Sequence, residues 1–512
     1  MASVRHNVVF NYLGQFYTAA AGIVTLPLYL SHLGAEAYGL VGFFTLLQAW
    51  MQLLDLGISP TFSREVARLH GKPEQAGDLR SVVRSLEAVF LVIALLVTLP
   101  LFLARHWIGT HWLSVERLDP GLVANCIGIM SIMLGLRWLI ALHRSGINAY
   151  ERQAWVNIAN GIFVTLRFPG SLLLIVLTRG DLLLFFLFQL ALAFIEQVLT
   201  SRKFYQLLPS RSQGAGSFSL GQLRRIAPFA LSVGYTGGIW VLITQMDKLL
   251  MSKLLPLSEY GYFSLIATVS SSILMLSWPI GTAIMPRMTA LLAHGQDAEM
   301  LRIYRKATRF VVCTVTPLAL ALAFFPAKSV YLWTGDARAA EWTAPILPLF
   351  ALGNALLAVS AFQYYLQYAY GRLRMHVQYN TFSVFISVPL IVYAAYRYGP
   401  LGVGWVWLGL RIFSLTIWSY CIHRVFTPGL HQTWLLKDVL APVAGCCLAF
   451  LAVAPSLDAH FPANRYAGIA TLAGVVLIIM ALAILAAFNH DIRGHRRAKL
   501  QSRQFPSAPL AE

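Results

Sequence analysis

Apolar residues recur along this chain in runs of eighteen or more, separated by short polar connections. A helix rises about 1.5 Å per residue, so each run is long enough to cross roughly 30 Å of hydrocarbon. The pattern predicts spans at 8–30, 37–58, 86–104, 121–143, 154–177, 182–201, 226–250, 259–283, 308–327, 343–368, 376–396, 401–423, 438–455 and 466–488. Hydrophobic residues are 58% of the chain and charged residues only 12%, about half the charged share of a soluble domain. The mean hydropathy is +0.65. The expected fold class is therefore an all-α polytopic membrane protein with about fourteen transmembrane helices. The first run reads as a span and not a cleavable signal, because it carries Asn11 and Gln15 and lacks a small-residue cleavage site.

A weak internal repeat organises these spans. Tyr38-Gly39 leads through Gly57, Arg64, Ala67 and Gly71 into Arg80 and Arg84. About 223 positions later Tyr260-Gly261 leads through Gly281, Arg287, Ala290 and Gly295 into Arg302, Arg305 and Lys306. Two pseudo-symmetric six-helix lobes follow, 1–201 and 226–424, joined by a linker at 202–225. Two additional C-terminal helices lie in 425–488, and 489–512 is a basic tail. Segments 61–84 and 286–308 mix arginine with apolar residues at helical spacing and read as amphipathic helices at the membrane surface.

The formal charge of +18 does not point to nucleic acid, because its distribution follows topology. With a cytoplasmic N-terminus, most Lys and Arg fall on inside connections and tails, which also places the C-terminus inside. The five cysteines, Cys126, Cys313, Cys421, Cys446 and Cys447, all lie in spans. They read as small apolar packing residues, with neither a disulfide set nor a metal site, and no cofactor is expected.

An ionised side chain near the bilayer centre costs at least about 2.5 kcal/mol, so deep polar groups usually face a partner or a cavity. Arg137, Arg167 and Arg411 lie within spans, as does Glu196; Asp55 and Asp247 lie near helix ends. Five polar stripes appear at helical spacing: Asn7/Asn11/Gln15/Thr18, Asn157/Asn160/Arg167, Gln189/Glu196/Thr200, Gln363/Gln367/Tyr370 and Trp407/Arg411/Ser414/Trp418. Such stripes either hydrogen-bond helices together or line a wet cavity, and their spread over both lobes favours a cavity. Three arginines against one deep acid suit an anionic ligand, since guanidinium forks match phosphate oxygens. Trp407, Gln363 and Gln367 suit stacking on, and hydrogen bonding to, sugars. Candidate substrate-binding residues are thus Arg411, Arg167, Arg137, Gln363, Gln367, Trp407, Asn11 and Gln15. Glu196, Asp247 and Asp55 are candidates for ion coupling or gating, and no catalytic residue is expected.

The run Asn11-Tyr12-Leu13-Gly14, Pro27-Leu28-Tyr29-Leu30, Leu33-Gly34, Tyr38-Gly39-Leu40, Leu54-Asp55-Leu56-Gly57 and Arg64 resembles the polysaccharide-transporter branch of the multidrug/oligosaccharidyl-lipid/polysaccharide exporter superfamily. Asp247-Lys248-Leu249-Leu250 and Ser258-Glu259-Tyr260-Gly261-Tyr262-Phe263-Ser264 are similar to its second-lobe signature. The resemblance covers residues 1 to about 425. It implies a Wzx-type flippase for O-antigen or related lipid-linked oligosaccharides in the bacterial inner membrane. Such a protein moves undecaprenyl-diphosphate-linked sugars to the periplasmic leaflet by alternating access. A polysaccharide polymerase and a chain-length regulator are the implied partners, beside membrane lipids. An ion-coupled drug antiporter of the same superfamily would want several deep acids, and a peptidoglycan lipid-precursor flippase is a sister reading. A polymerase or ligase, the enzyme alternative, would carry a large outside loop that this chain lacks, and an ATP-driven pump would carry a phosphate-binding glycine loop. Replacing Arg411 or Arg167 with alanine is expected to abolish surface polysaccharide while membrane abundance of the protein, read by immunoblot, stays unchanged. Replacing Glu196 with glutamine is expected to alter the pH dependence of transport.

Overall fold

The computed structural model describes residues 4–504 apart from 56, 70–74, 210–216 and 463, with side chains described from 14 to 489. Among these residues the fold is all-α. Thirteen helices are long and apolar enough to cross a membrane. They are Gly14–Leu33 (part of a helix beginning at Val4), Ala35–Leu54, Ala76–Leu103, Pro120–Ala149, Gln153–Leu177, Leu182–Leu207, Leu220–Leu254, Leu257–Ala293, Asp297–Phe324, Leu347–Ala369, Arg374–Phe426, Leu430–Ala459 and Arg465–Asn489. The eleventh runs for 53 residues, roughly 80 Å, more than twice the hydrocarbon thickness. It is broken at Gly399 (φ 61°, ψ −152°), a conformation open essentially to glycine alone. Pro400 follows and disfavours α-helical geometry in the residue before it. The two sides of this break are the spans expected at 376–396 and 401–423.

Helix starts follow capping chemistry. Asp119 accepts from the Leu122 amide at 2.7 Å with Pro120 in the first helical position. Asp181 accepts from Leu184 at 3.0 Å and Ser219 from Gln222 at 3.3 Å. Away from helix starts, the Glu36 carboxylate takes the amides of Glu116, Arg117 and Leu118, which ties that loop to the second span.

Packing divides the chain into two units, one of residues 1–265 with 377–406, the other of 266–376 with 407–512. Inside the first, Pro120–Ala149 lies against Ala76–Leu103 and Leu182–Leu207. Edge-on aromatic pairs fill this core: Tyr29 with Phe185, Phe44 with Phe186, Phe62 with Phe204 and Phe90 with Trp138. The repeat signature explains itself here. Gly39 and Gly261 pack against each other's helices, so that a Cβ on Gly39 would strike the Leu257 carbonyl and one on Gly261 the Ala35 carbonyl. Tyr38 and Tyr260 beside them are buried. Small residues let helix backbones approach closely where hydrophobic driving force between helices is absent.

Inside the second unit, Asp297–Phe324 packs on Leu347–Ala369 and on the last two helices. Leu320 and Phe325 meet Cys446, Phe450, Val476 and Ile479 in one buried cluster. All five cysteines carry free thiols.

The amphipathic segments need correction. The first is partly a separate helix, Ile58–Leu69, but its stripe Ile58, Phe62, Val66 and Leu69 is buried in protein, with Phe62 against Phe204. Arg64 lies over the Phe229 ring at 4.3 Å. The second, 286–308, is no separate helix: Leu257–Ala293 reaches into it, the chain turns at Gly295, and Asp297–Phe324 begins. Both spans simply overrun the hydrocarbon length. Substituting Gly261 with valine is expected to lower stability by about 1–3 kcal/mol through overpacking, read as a reduced unfolding temperature in detergent, whereas Gly237, with open space around it, should tolerate alanine.

Candidate functional site

Three helices of the first unit carry polar residues seven apart, two helical turns and nearly one face. They are Arg137 and Arg144 on Pro120–Ala149, Asn160 and Arg167 on Gln153–Leu177, and Gln189 and Glu196 on Leu182–Leu207. The structure brings all six together. Glu196 is 1% exposed and both carboxylate oxygens are taken, Oε1 by Arg144 and Oε2 by Arg167. Arg144 Nη1 also donates to Asn160 Oδ1 at 3.3 Å. Arg137 donates to Gln48 Oε1 and to Gln189 Oε1 at 3.5 Å, with its guanidinium 4.9 Å from the Phe44 ring centroid. The three guanidiniums lie close enough to repel one another. One carboxylate therefore balances only part of their charge, and the formal excess on this face is two positive charges. Arg144 and Arg167 keep 24% and 17% side-chain exposure while the carboxylate behind them has almost none. An anion approaching this face meets guanidinium, not carboxylate.

Backbone geometry fixes Arg167. Residues Leu166–Gly170 form a single wide π turn around Pro169, a distortion that often marks functional positions. Carbonyls of this turn accept further bonds from neighbouring helices. Tyr29 Oη donates to the carbonyls of Arg167 and Phe168 at 2.8 and 2.9 Å, and Gln189 Nε2 to that of Arg167 at 3.0 Å. On the first helix, Thr18 receives a bond from Asn160 Nδ2 at 3.2 Å. Thr18 of the first stripe, Asn160 and Arg167 of the fifth span and Gln189 and Glu196 of the sixth thus meet around a charged centre.

The other predicted residues lie elsewhere. In the second unit Arg411, 7% exposed, stacks on Trp407 at 4.1 Å, and Trp407 stacks on Phe350. Gln363 Nε2 donates to Ser414 Oγ at 3.1 Å, on another π turn, Ser414–Trp418. Gln367 is fully buried and bonds the Gln363 carbonyl at 3.2 Å. Gln15 is exposed, and the Asn11 side chain lies outside the described residues. Asp247 is paired with Lys248 at 3.2 Å. Asp55 caps the Ile58–Leu69 helix by accepting from Ser59 Oγ at 2.6 Å. Burial raises its carboxyl above the ordinary range against the pull of that bond. Asp55, Asp247 and Glu196 are thus held by separate local partners.

Two features escaped the sequence reading. Arg144 falls one residue past the expected end of its span, although its spacing from Arg137 matches that of Gln189 and Glu196. In the second unit, buried Asp438 pairs with Arg305 at 2.6 Å and Arg309 at 3.2 Å. No local pattern announces a contact of that separation.

Residues 4–292 match the family model described as polysaccharide biosynthesis protein. The chain belongs to that family. Its fold is the one seen in lipid II flippase MurJ in an inward closed conformation, with TM-score 0.74 and 12% identity over 95% of this chain and 100% of that one. A MATE multidrug transporter of the MOP superfamily, inward-facing, gives TM-score 0.63 and 12% identity over 80% and 96%. A MOP superfamily transporter from Pyrococcus furiosus, whose binding pocket is described as of reverse polarity, gives 0.52 and 15% over 82% and 96%. No curated protein matches the chain in sequence.

Removing the charge of Glu196 leaves buried guanidiniums facing one another, a loss of about 3–5 kcal/mol for a broken buried pair. Glu196→Gln is therefore expected to lower the unfolding temperature sharply, and adding Arg144→Gln to recover part of it. Additive losses in the double variant would show that no such repulsion exists.

Proposed function

We propose that this protein is a flippase for an undecaprenyl-diphosphate-linked oligosaccharide, with Arg144 and Arg167 receiving the diphosphate. The carrying observation is the three-to-one excess of guanidinium over carboxylate around Glu196, with the acid at the rear. Guanidinium forks offer paired donors to phosphate oxygens, and a low-dielectric setting strengthens each contact. Family membership in polysaccharide biosynthesis and a fold shared with flippases and exporters support the same reading. Arg137, on the same helix face, adds long-range attraction. Arg411, Trp407, Gln363 and Gln367 are proposed as a further stacking and amide face, and Asn11 and Gln15 as polar positions on the first helix.

Transport would proceed by alternating access of the two repeats, 1–201 and 226–424, in the bacterial inner membrane with both termini cytoplasmic. It is a carrier's task with no covalent chemistry, and it hands its product to a polymerase under a chain-length regulator. Glu196 is then a positioning acid for the arginine pair, since both of its oxygens are engaged.

The ion-coupled drug antiporter is disfavoured by the acids. Among the described residues, buried Glu36, Glu65, Glu196, Asp247 and Asp438 each hold a backbone amide, arginine or lysine partner. A cation carrier needs a carboxylate with a vacancy.

In a strain deleted for the gene, Arg144→Ala at normal membrane abundance is expected to restore less than about a tenth of surface glycan, from loss of charge-assisted phosphate bonds. The lipid-linked oligosaccharide should accumulate in the inner leaflet. Arg144→Lys should restore an intermediate amount, having charge without the fork. Full glycan with Arg144→Ala would remove the diphosphate assignment.

A further inference from the structure

We propose that Tyr17 and Thr165 form a sugar-recognition subsite beside the guanidinium pair, an inference that rests on a diphosphate-linked glycan being the substrate. Tyr17 Oη and Thr165 Oγ1 are 2.5 Å apart, and both residues are exposed. The direction of that bond follows from its neighbours. Thr165 spends its only hydroxyl proton on the Gly161 carbonyl at 2.8 Å, so Tyr17 donates to Thr165. The Tyr17 oxygen keeps its lone pairs open, beside an exposed aromatic ring.

Position connects this acceptor to the cations. Thr18, the next residue, is bonded to Asn160, which is bonded to Arg144. Thr165 precedes Arg167 by two residues at the edge of the π turn. An acceptor for ring hydroxyls thus lies within one helical turn, along the same two helices, of residues that carry or bond the phosphate donors, the complement of a glycosyl diphosphate. A hydroxyl–hydroxyl pair facing hydrocarbon would waste its remaining capacity, whereas a ring with one polar handle suits a sugar face.

The same device occurs a second time. Tyr17-Thr18 recurs as Tyr235-Thr236, 218 positions later, on the helix Leu220–Leu254. Tyr235 Oη lies 2.6 Å from Thr381 Oγ1, and Thr381 gives its proton to the Val377 carbonyl at 2.8 Å. Tyr235 is likewise 48% exposed. Donor order, partner type and exposure all recur, on a helix pair that carries no equivalent of the Glu196 centre in sequence: Ser387 stands two residues before Pro389, where Arg167 stands two before Pro169.

The test uses the purified full chain in lipid nanodiscs and two probes, undecaprenyl diphosphate and the same lipid bearing one N-acetylglucosamine, with affinities from native mass spectrometry. Wild type is expected to prefer the sugar-bearing lipid. Tyr17→Phe, which keeps the ring and removes the oxygen, should weaken that lipid about tenfold, as loss of one hydrogen bond to a built site predicts. Sugar-free lipid should stay within about twofold, and Thr165→Val should behave in the same way, whereas Arg144→Ala should weaken both probes. Equal loss of both probes in Tyr17→Phe, or loss of neither, would overturn the subsite and leave the pair as a link between helices. Equal wild-type affinity for the two probes would overturn it as well. If wild type binds neither probe, the diphosphate reading itself fails first.

Discussion

A carboxylate almost wholly removed from solvent is tolerable only when its charge is met at bonding distance, and Glu196 meets that demand with two guanidiniums from two other helices. That requirement orders the first unit. It sets the register of Pro120–Ala149 against Leu182–Leu207, because Arg144 must reach Glu196 while Arg137, two turns away, reaches Gln189. It also demands that Gln153–Leu177 deliver Arg167 to the other oxygen. The wide turn around Pro169 accompanies that delivery, with Tyr29 and Gln189 donating to its carbonyls. Charge, register and backbone distortion are therefore one arrangement, and it leaves a positive excess.

Much of the architecture was legible because hydrocarbon permits few solutions. Backbone amides in hydrocarbon are bonded mostly within their own helix, so spans appear as long apolar runs even where a proline lies inside them. Gly399-Pro400, by contrast, separates two spans on an otherwise continuous helix. Arg167, Arg137 and Glu196 were readable as a group because charge at depth is costly wherever it occurs. Their mutual pairing was not readable, since spacing within a helix does not say which neighbour it faces. Arg144 was lost to a boundary: a polar residue beside the run's end looked like loop, yet the helix continues to Ala149. The segment 286–308 failed in a related way, because apolar and basic residues at helical spacing do not distinguish a surface helix from the overrun of a span.

The two units treat their arginines differently. In the first, the guanidiniums around Glu196 are held by a carboxylate and by amides, and two of them stay partly exposed. In the second, Arg411 lies flat on an indole that is itself stacked on a phenyl ring, while Arg305 and Arg309 converge on Asp438. A guanidinium on an aromatic face is held through its π surface, whereas one paired with carboxylate is held through part of its five-donor fork. Arg411 and the Glu196 group are thus distinct cationic environments, although composition alone would count them together.

The Tyr-Gly dipeptides bear on how such a chain ages. Most positions in a duplicated protein drift apart, because each copy answers to its own surroundings. Gly39 and Gly261 answer to each other: a methyl group added to either collides with the backbone of the other's helix. One and the same contact therefore excludes a side chain at both places. The recurrence of the Tyr-Gly pair is in this sense a record of geometry, set by crowding where the two helices meet.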